Sequence, residues 1–389
     1  MTSVTPICWC LRFPAVRVAV VPMSTVDQPQ VLLPRPASRH ELAILRFPDR
    51  RTDWVVILIA SLVTPLDIVE LRRRLGTLHE AVPMVGARLR HETWDPGEPP
   101  EPVVLDGEPL DDPCLDAAFD LATEPPLRVV LGNDGRRLAV ACHHAAFDGR
   151  ALVAIVVALL GGPLPAPVTS APPGPRGSKS VLIRRLLTPA DRIAPSSIPP
   201  RRDTCLSEEI ELSGQSVTGR LAQACVDAAS EHNRRLGAPW HRVGISIAKG
   251  GPPGVGNVAS YRRLDLRAGD PVAPSVAAAL LSPDEPTEQT RAGLVLTLTH
   301  PIVNRFSDSL LVSNLGRQSL PGTTRLEFFP VARGRSAVAF GAVGVDGMAS
   351  TLSLRARDLT MADAQKLLGD ALQFLRKSGS SEPVPDGPN

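Results

Sequence analysis

The chain has 389 residues, with 42 basic and 40 acidic side chains, 43% hydrophobic residues, 4% aromatic residues and 40 prolines. This balance excludes a charge-stabilised disordered polymer, and the net charge of +2 provides no basic field for nucleic acid. Because domains tend to split above roughly 250 residues, we expect two lobes of similar size.

The cysteine count and the apolar runs indicate a location. Six cysteines are too few for a disulfide scaffold, so a reducing cytoplasm is expected. The longest apolar runs, residues 54–63 and 151–160, are shorter than the ~20 residues that span a bilayer, so no transmembrane segment is predicted. The excess of Arg, Ala and Pro is typical of a GC-rich bacterium.

The first 39 residues are predicted to be a flexible segment, in which Met23 is a candidate start. The first lobe, 40–162, begins with strand-like residues 43–45 and 54–59. A helix then follows with Thr64 as its cap, Pro65 at the first helical position and Asp67 at the third. Pro83 ends this helix. Its apolar residues recur at steps of three and four: Ile68, Leu71, Leu75, Leu78 and Val82.

Two extended runs, 127–131 and 138–144, are joined by residues 132–135, which read Gly-Asn-Asp-Gly. These residue types tolerate positive φ, so a β-hairpin is predicted. Its second strand ends in two histidines.

Residues 163–202 form a proline-rich crossover, with one docked helical turn expected at 181–187. The second lobe, 203–378, is predicted to hold a helix at 217–236 and an alternating strand at 243–247. A final helix begins at the cap Thr360, and residues 379–389 are a disordered tail. The remaining strands are predicted at 294–299, 310–313, 337–343 and 349–355.

The most informative stretch is 141–150, Ala-Cys-His-His-Ala-Ala-Phe-Asp-Gly-Arg. Successive strand residues face opposite ways, so His143 and His144 cannot converge on one reacting atom. One histidine therefore does chemistry and the other is architectural. A histidine suits proton removal from a hydroxyl or amine near neutral pH. Asp148, before the turn residue Gly149, is expected to pair with a buried cation.

These residues match H-H-x-x-x-D-G, the signature of a large acyltransferase superfamily. It holds chloramphenicol acetyltransferase, nonribosomal peptide condensation domains, polyketide-associated acyltransferases and wax ester synthase/diacylglycerol acyltransferase enzymes. The chain resembles this superfamily over residues 40–377, most closely its stand-alone enzymes. The other matching stretches are the helix at 68–89, the hairpin at 127–149, the strand at 245–249 with Gly256-Asn257, the Ser-Asn-Leu-Gly at 313–316 and the C-terminal hairpin and helix.

The resemblance implies a mixed α/β fold of two chloramphenicol acetyltransferase-like lobes that form a V with a central tunnel. It also implies a thioester donor on coenzyme A or on the phosphopantetheine of an acyl carrier protein, and a small-molecule or lipid acceptor with an alcohol or amine. His144 would deprotonate the acceptor as it attacks the thioester, without a covalent intermediate. No permanently bound cofactor, no metal and a monomer are expected.

Within this family pattern, Ser313, Asn314 or the backbone near Gly149 are the candidate donors to the oxyanion. The family's motif aspartate commonly pairs with an arginine, and Lys249 occupies that place here. Lys249 is therefore the expected partner of Asp148. Because an ammonium lacks the bidentate fork of a guanidinium, either this salt bridge is lost or Arg262 or Arg263 takes the place of Lys249.

Several alternatives stay open. A zinc site is disfavoured because the two histidines diverge, and Cys142 is read as a buried filler rather than a nucleophile. His300 at a strand end is either a cleft residue or a plain loop histidine. The site itself could belong to a non-catalytic module that docks a carrier-bound intermediate or recruits a partner enzyme, or to an enzyme that cyclises or dehydrates a tethered chain.

Overall fold

The structure is a computed structural model, and it describes residues 32–47, 52–168, 185–250, 254–282, 307–334 and 336–379. The described part of the chain is a mixed α/β protein with three sheets. Its helices are α1 Arg39–Leu45, α2 Ile68–Ala81, α3 Pro113–Asp116, α4 Gly149–Leu159, α5 Val217–Arg235, α6 Val272–Leu281 and α7 Met361–Gly379.

The described part of the chain has fourteen strands. They are β1 Arg35–Pro36, β2 Val55–Leu62, β3 Arg88–Arg90, β4 Thr93–Asp95, β5 Val103–Val104, β6 Leu127–Gly132, β7 Arg137–His143, β8 Thr204–Ile210, β9 Arg242–Lys249, β10 Ser260–Arg267, β11 Leu310–Gln318, β12 Thr323–Phe329, β13 Val338–Val345 and β14 Ser350–Ala356.

The larger sheets divide between the two halves of the sequence with one exception. A six-stranded sheet has the order β10-β9-β11-β13-β14-β8, and a five-stranded sheet has the order β12-β2-β7-β6-β5. Strand β12 belongs to the second half by sequence but pairs antiparallel with β2, with Phe328 opposite Leu58. The two halves therefore share a strand, which a division at residue 203 does not reveal.

Each large sheet carries its own apolar core. Alternate residues of β2 and β7 pack against α2 and α4, including Leu58, Val140, Leu71 and Leu152. A second core joins the six-stranded sheet to α5 and α7. The other face of β2 and β7 forms a smaller cluster with Phe329 of β12. The end of β7 contributes to both clusters, with Cys142 in the first and Ala141 in the smaller one, so both faces of the strand are packed.

The structure confirms most predicted elements. The helix at 68–81 ends before Pro83, the hairpin of β6 and β7 turns through residues with positive φ at Asn133, Asp134 and Gly135, and α5 and α7 have nearly their predicted bounds. The oxygen of Thr360 accepts a hydrogen bond from the Asp363 N–H at 3.3 Å, as expected for a cap.

Two local predictions were wrong. Residues 43–45 belong to helix α1, because Ser38 and Glu41 form a capping box that the strand prediction overlooked. Helix α2 begins after Asp67 rather than Thr64: the Asp67 carboxylate accepts from the N–H groups of Val69 and Glu70, so Asp67 is itself the cap.

Other predictions lie wholly or partly outside the described residues: the strand at 294–299, His300, the first 31 residues, the segment 169–184 and the tail from 380 onward. Of the segment 1–39, residues 32–39 are described, and they hold β1 and the cap of α1. Within the described ranges, no helix combines the length and hydropathy needed to cross a bilayer.

Candidate active site

The motif histidines lie where β7 leaves the sheet. The His144 N–H donates to the carbonyl of Trp54 at 2.7 Å, and the His143 N–H donates to the carbonyl of Pro126 at 3.0 Å. The neighbouring segments thus hold the backbone of both histidines in place. Trp54 has a left-handed backbone, with φ of 54°, which is unusual for a residue of this size. Such local strain is concentrated at functional sites.

The ring of His144 is hydrogen-bonded at both nitrogens. Nδ1 lies 3.2 Å from the carbonyl oxygen of Phe147, and Nε2 lies 2.7 Å from the hydroxyl of Tyr261. A carbonyl oxygen can only accept, so Nδ1 carries the hydrogen and Nε2 presents a lone pair. The Tyr261 hydroxyl donates to that lone pair. His144 is therefore in the tautomer that a base acting through Nε2 requires.

His144 is 4% exposed and stacks on the indole of Trp54, with ring centroids 6.1 Å apart. Burial lowers the pKa of His144 to about 3, although the bond to Phe147 opposes this shift. The ring is thus neutral throughout the physiological range and can accept a proton.

His143 faces the other way and has the opposite tautomer. Its Nδ1 accepts the Ala145 N–H at 3.1 Å, so the hydrogen of the neutral ring is on Nε2. Burial lowers the pKa of His143 to about 4. The Nε2 of His143 therefore cannot act as a base, and the ring supports the turn that follows β7.

Asp148 is a helix cap and also a link between the two halves of the chain. Its Oδ1 accepts from the N–H groups of Arg150 and Ala151 at 3.0 and 2.9 Å, which caps α4. Its Oδ2 accepts from the Val258 N–H at 3.1 Å, and its own N–H donates to the Gly256 carbonyl. Although backbone donors oppose it, burial raises the pKa of Asp148.

The expected ion pair between Asp148 and Lys249 is not found among the described residues. Among the described residues its carboxylate is bonded by backbone N–H groups, and no ion pair joins it to Lys249. The guanidinium of Arg263 bonds Asp265 and Asp308, and that of Arg262 donates to the Ser282 carbonyl. The N-terminus of α4 and the loop at Val258 supply the partial positive charge that a cation was expected to supply.

Two further motif residues have positions that explain their identity. A Cβ on Gly149 would lie 2.8 Å from the ring of Phe328 on β12, so any larger residue would require Phe328 to shift. The amide of Asn257, in the predicted Gly-Asn element, donates to the carbonyl oxygen of His144. The loop at 256–258 thus contacts the motif at His144 and at Asp148.

Ser313 and Asn314 lie on β11 and line the same cavity as His144. The Asn314 amide nitrogen donates to the Thr218 hydroxyl at 3.0 Å, and its oxygen accepts from the Gly316 N–H at 2.9 Å. Ser313 is buried. The side-chain amide of Asn314 is thus already hydrogen-bonded within the protein, which leaves Ser313 as the better candidate donor.

The cavity at His144 is lined by residues of both halves, including Val56, Gly149, Tyr261 and Leu311. It leaves about 40 Å³ for the centres of water-sized molecules, enough for a few waters. No group of three or more His, Cys, Asp or Glu side chains in the described ranges is placed to hold a metal ion.

Tyr261, the only tyrosine in the chain, is a site residue that no sequence pattern predicted. It lies on β10 opposite Ala248 of β9, and Arg333 lies over its ring, 4.2 Å from the centroid. A lone tyrosine on a strand is a weak signal, because its distance of 117 positions from His144 along the chain hides the contact.

No protein-family model and no curated protein matches the sequence. Solved structures do match. The first condensation domain of the calcium-dependent antibiotic synthetase, in complex with a substrate analogue, is 15% identical; the match covers 90% of this chain and 96% of that chain, with a TM-score of 0.59.

A double mutant of the starter condensation domain of the rhizomide synthetase RzmA, in complex with C8-CoA, is 11% identical over 91% of this chain and 97% of that chain, with a TM-score of 0.58. An epimerization domain from the third module of tyrocidine synthetase B is 13% identical over 90% and 97%, with a TM-score of 0.55.

The protein thus has the fold of condensation domains, a mixed α/β fold of two chloramphenicol acetyltransferase-like lobes. This confirms the predicted fold class. Since an epimerization domain has the same fold, the fold by itself does not select the reaction.

Proposed function

We propose that this protein is an acyltransferase, which moves an acyl group from a thioester of coenzyme A or of a carrier protein to an alcohol or amine. His144 acts as the general base, and the product belongs to lipid or natural-product biosynthesis. The observation that carries the proposal is the buried, neutral His144 with the lone pair of Nε2 in a cavity that both halves line.

In this reaction the acceptor oxygen or nitrogen attacks the thioester carbonyl while its proton moves toward His144. The carbon–sulfur bond then breaks, and the proton returns to the departing thiolate. The imidazolium forms beside a developing oxyanion, and these opposite charges offset the desolvation that lowers the pKa of His144. His143 keeps the turn in shape, while Asp148 and Gly149 hold α4 against the second half of the chain.

Ser313 is the proposed donor to the oxyanion, because it lines the cavity and the amide of Asn314 is committed to Thr218. Removing one such donor typically costs about 10²- to 10³-fold in rate. The thioester is a substrate, so no resident cofactor is required. A cytoplasmic location, a monomeric state and an acyl carrier protein as partner stay predictions.

A second candidate function has an observation in its favour. Nε2 of His144 is already bonded to Tyr261, and the adjacent cavity holds only a few waters. Both features suit a condensation-like module that docks a carrier-bound intermediate, or recruits a partner enzyme, without turnover.

Thiol release separates the two candidates. The purified chain would be mixed with octanoyl-CoA, or with an octanoyl carrier protein, and with hexanol or hexylamine. The acyltransferase releases thiol and forms the octanoyl ester or amide, which mass spectrometry identifies, and His144→Ala abolishes both without loss of folding. Binding of the donor without any thiol release would instead establish the docking module.

A further inference from the structure

The bond between Tyr261 and His144 bears directly on how an acceptor reaches the base. Nε2 of a neutral imidazole has one lone pair, and the Tyr261 hydroxyl occupies it at 2.7 Å. An acceptor hydroxyl cannot bond the same lone pair at the same time. Either the acceptor displaces Tyr261, or the proton travels through Tyr261.

Several contacts hold Tyr261 in place. The strand β10 that carries it is paired with β9 along its whole length, from Ser260 opposite Lys249 to Arg267 opposite Arg242. The guanidinium of Arg333 lies over the phenol ring, a favourable cation–π contact. Arg333 in turn lies 3.7 Å from Asp308. Displacement of Tyr261 would give up its bond to His144 and the contact with Arg333.

The phenol is also equipped to pass a proton on. Its oxygen keeps two lone pairs while its hydrogen is donated to Nε2, and Tyr261 lines the cavity. A hydroxyl that enters the cavity can therefore donate to the Tyr261 oxygen without disturbing His144. Burial raises the pKa of Tyr261, so a free tyrosinate is disfavoured and the two protons have to move together.

We propose that Tyr261 is a catalytic residue that carries the acceptor's proton to Nε2 of His144. As the acceptor oxygen bonds to the thioester carbon, its proton moves to the Tyr261 oxygen and the Tyr261 proton moves to Nε2. When the carbon–sulfur bond breaks, the same path returns one proton to the thiolate. Tyr261 and His144 end unchanged. This inference rests on the proposed acyl transfer.

The first test is Tyr261→Phe, which removes only the hydroxyl. With octanoyl-CoA and hexanol, the relay predicts a fall in kcat of about 10²- to 10⁴-fold and a small change in the KM for hexanol. It also predicts a solvent isotope effect from two protons in the wild type, seen as a curved dependence of kcat on the deuterium fraction. A kcat that is unchanged or raised in Tyr261→Phe would mean that the acceptor displaces the phenol of Tyr261 from His144.

The second test uses the fact that the chain has a single tyrosine. Growth on 3-fluorotyrosine labels Tyr261 alone, so one fluorine resonance reports its environment. His144→Asn should shift this resonance, because the bond to Nε2 is lost. When hexanol is added without donor, the relay predicts that the resonance stays far from the position seen in His144→Asn. Displacement of Tyr261 by the acceptor predicts that the resonance moves toward that position.

The two levels of the proposal fail in different ways. If the wild type releases no thiol from any donor, the acyltransferase proposal fails and the relay fails with it. If the wild type turns over and His144→Asn does not, while Tyr261→Phe matches the wild type, only the relay is overturned. Should Tyr261→Phe be unfolded by circular dichroism, the fluorine measurement still decides between the two pathways.

Discussion

His143 and His144 are neighbours in sequence, but the structure gives them opposite tautomers. Nδ1 of His144 donates to a carbonyl oxygen, so its Nε2 is the acceptor. Nδ1 of His143 accepts a backbone N–H, so its Nε2 carries the hydrogen. Burial lowers the pKa of both rings, so both are neutral near pH 7. The difference shows that a backbone partner, not the residue type, decides which histidine can act as a base.

The surroundings of the two rings differ as well. His144 lies in a cavity of about 40 Å³, next to the hydroxyl of Tyr261. His143 lines a larger hollow of about 410 Å³, together with Phe47, Trp54 and Phe119. The indole of Trp54 contributes to both environments, since it also stacks on His144.

The strongest way to break this comparison is a matched pair of asparagine variants. In His143→Asn the side-chain oxygen can still accept the Ala145 N–H, whereas in His144→Asn no group can take the proton. We expect His144→Asn to lose about 10²- to 10⁴-fold in kcat and His143→Asn less than about tenfold. Thiol release from octanoyl-CoA in the presence of hexanol measures both. Equal losses of kcat in the two variants would contradict the assignment of His144 as the base and of His143 as a structural residue.

A smaller effect is expected at the residue that holds α4. Asp148→Ala removes the cap of α4 and leaves the buried Val258 N–H without its acceptor, which should cost about 2–4 kcal/mol of unfolding free energy. Urea unfolding measures this loss. Asp67→Ala is the control, because Asp67 caps α2 from an exposed position and bonds only its own helix. A loss at Asp148 no larger than that at Asp67 would contradict the link between the halves.

The smallest expected effect on activity is that of pH. With an alcohol acceptor, kcat/KM should vary less than about twofold between pH 6 and 8, because the pKa of His144 is about 3 and the ring stays neutral. A fall in kcat/KM centred near pH 6.5 would indicate an exposed base instead. A pH profile of thiol release with hexanol gives the answer.

Stability should depend on pH below this range. The folded pKa values of His143 and His144, about 4 and about 3, lie below the value of 6.5 for an unperturbed histidine. The unfolded chain thus binds more protons between those values, so stability falls as the pH drops from 6.5 toward 3. Urea unfolding at several pH values should show a shallower slope for His143→Asn than for the wild type.

Much of the local structure was predictable. The period of apolar residues gave α2, the Gly-Asn-Asp-Gly turn gave the hairpin, and the alternation along β7 separated the faces of His143 and His144. The helix at 39–45 was predictable as well, because the capping box at Ser38 and Glu41 is a sequence pattern.

The sequence by itself determined α2, α5, α7, the hairpin of β6 and β7, the motif and the divergence of its two histidines, because these follow from periodicity and from neighbours in the chain. Only the tertiary structure decided that Tyr261 bonds His144, that backbone groups rather than Lys249 bond Asp148, and that β12 joins the first sheet. These contacts join residues more than a hundred positions apart. A single sequence carries no period or spacing that relates such residues, so the fold alone brings them together.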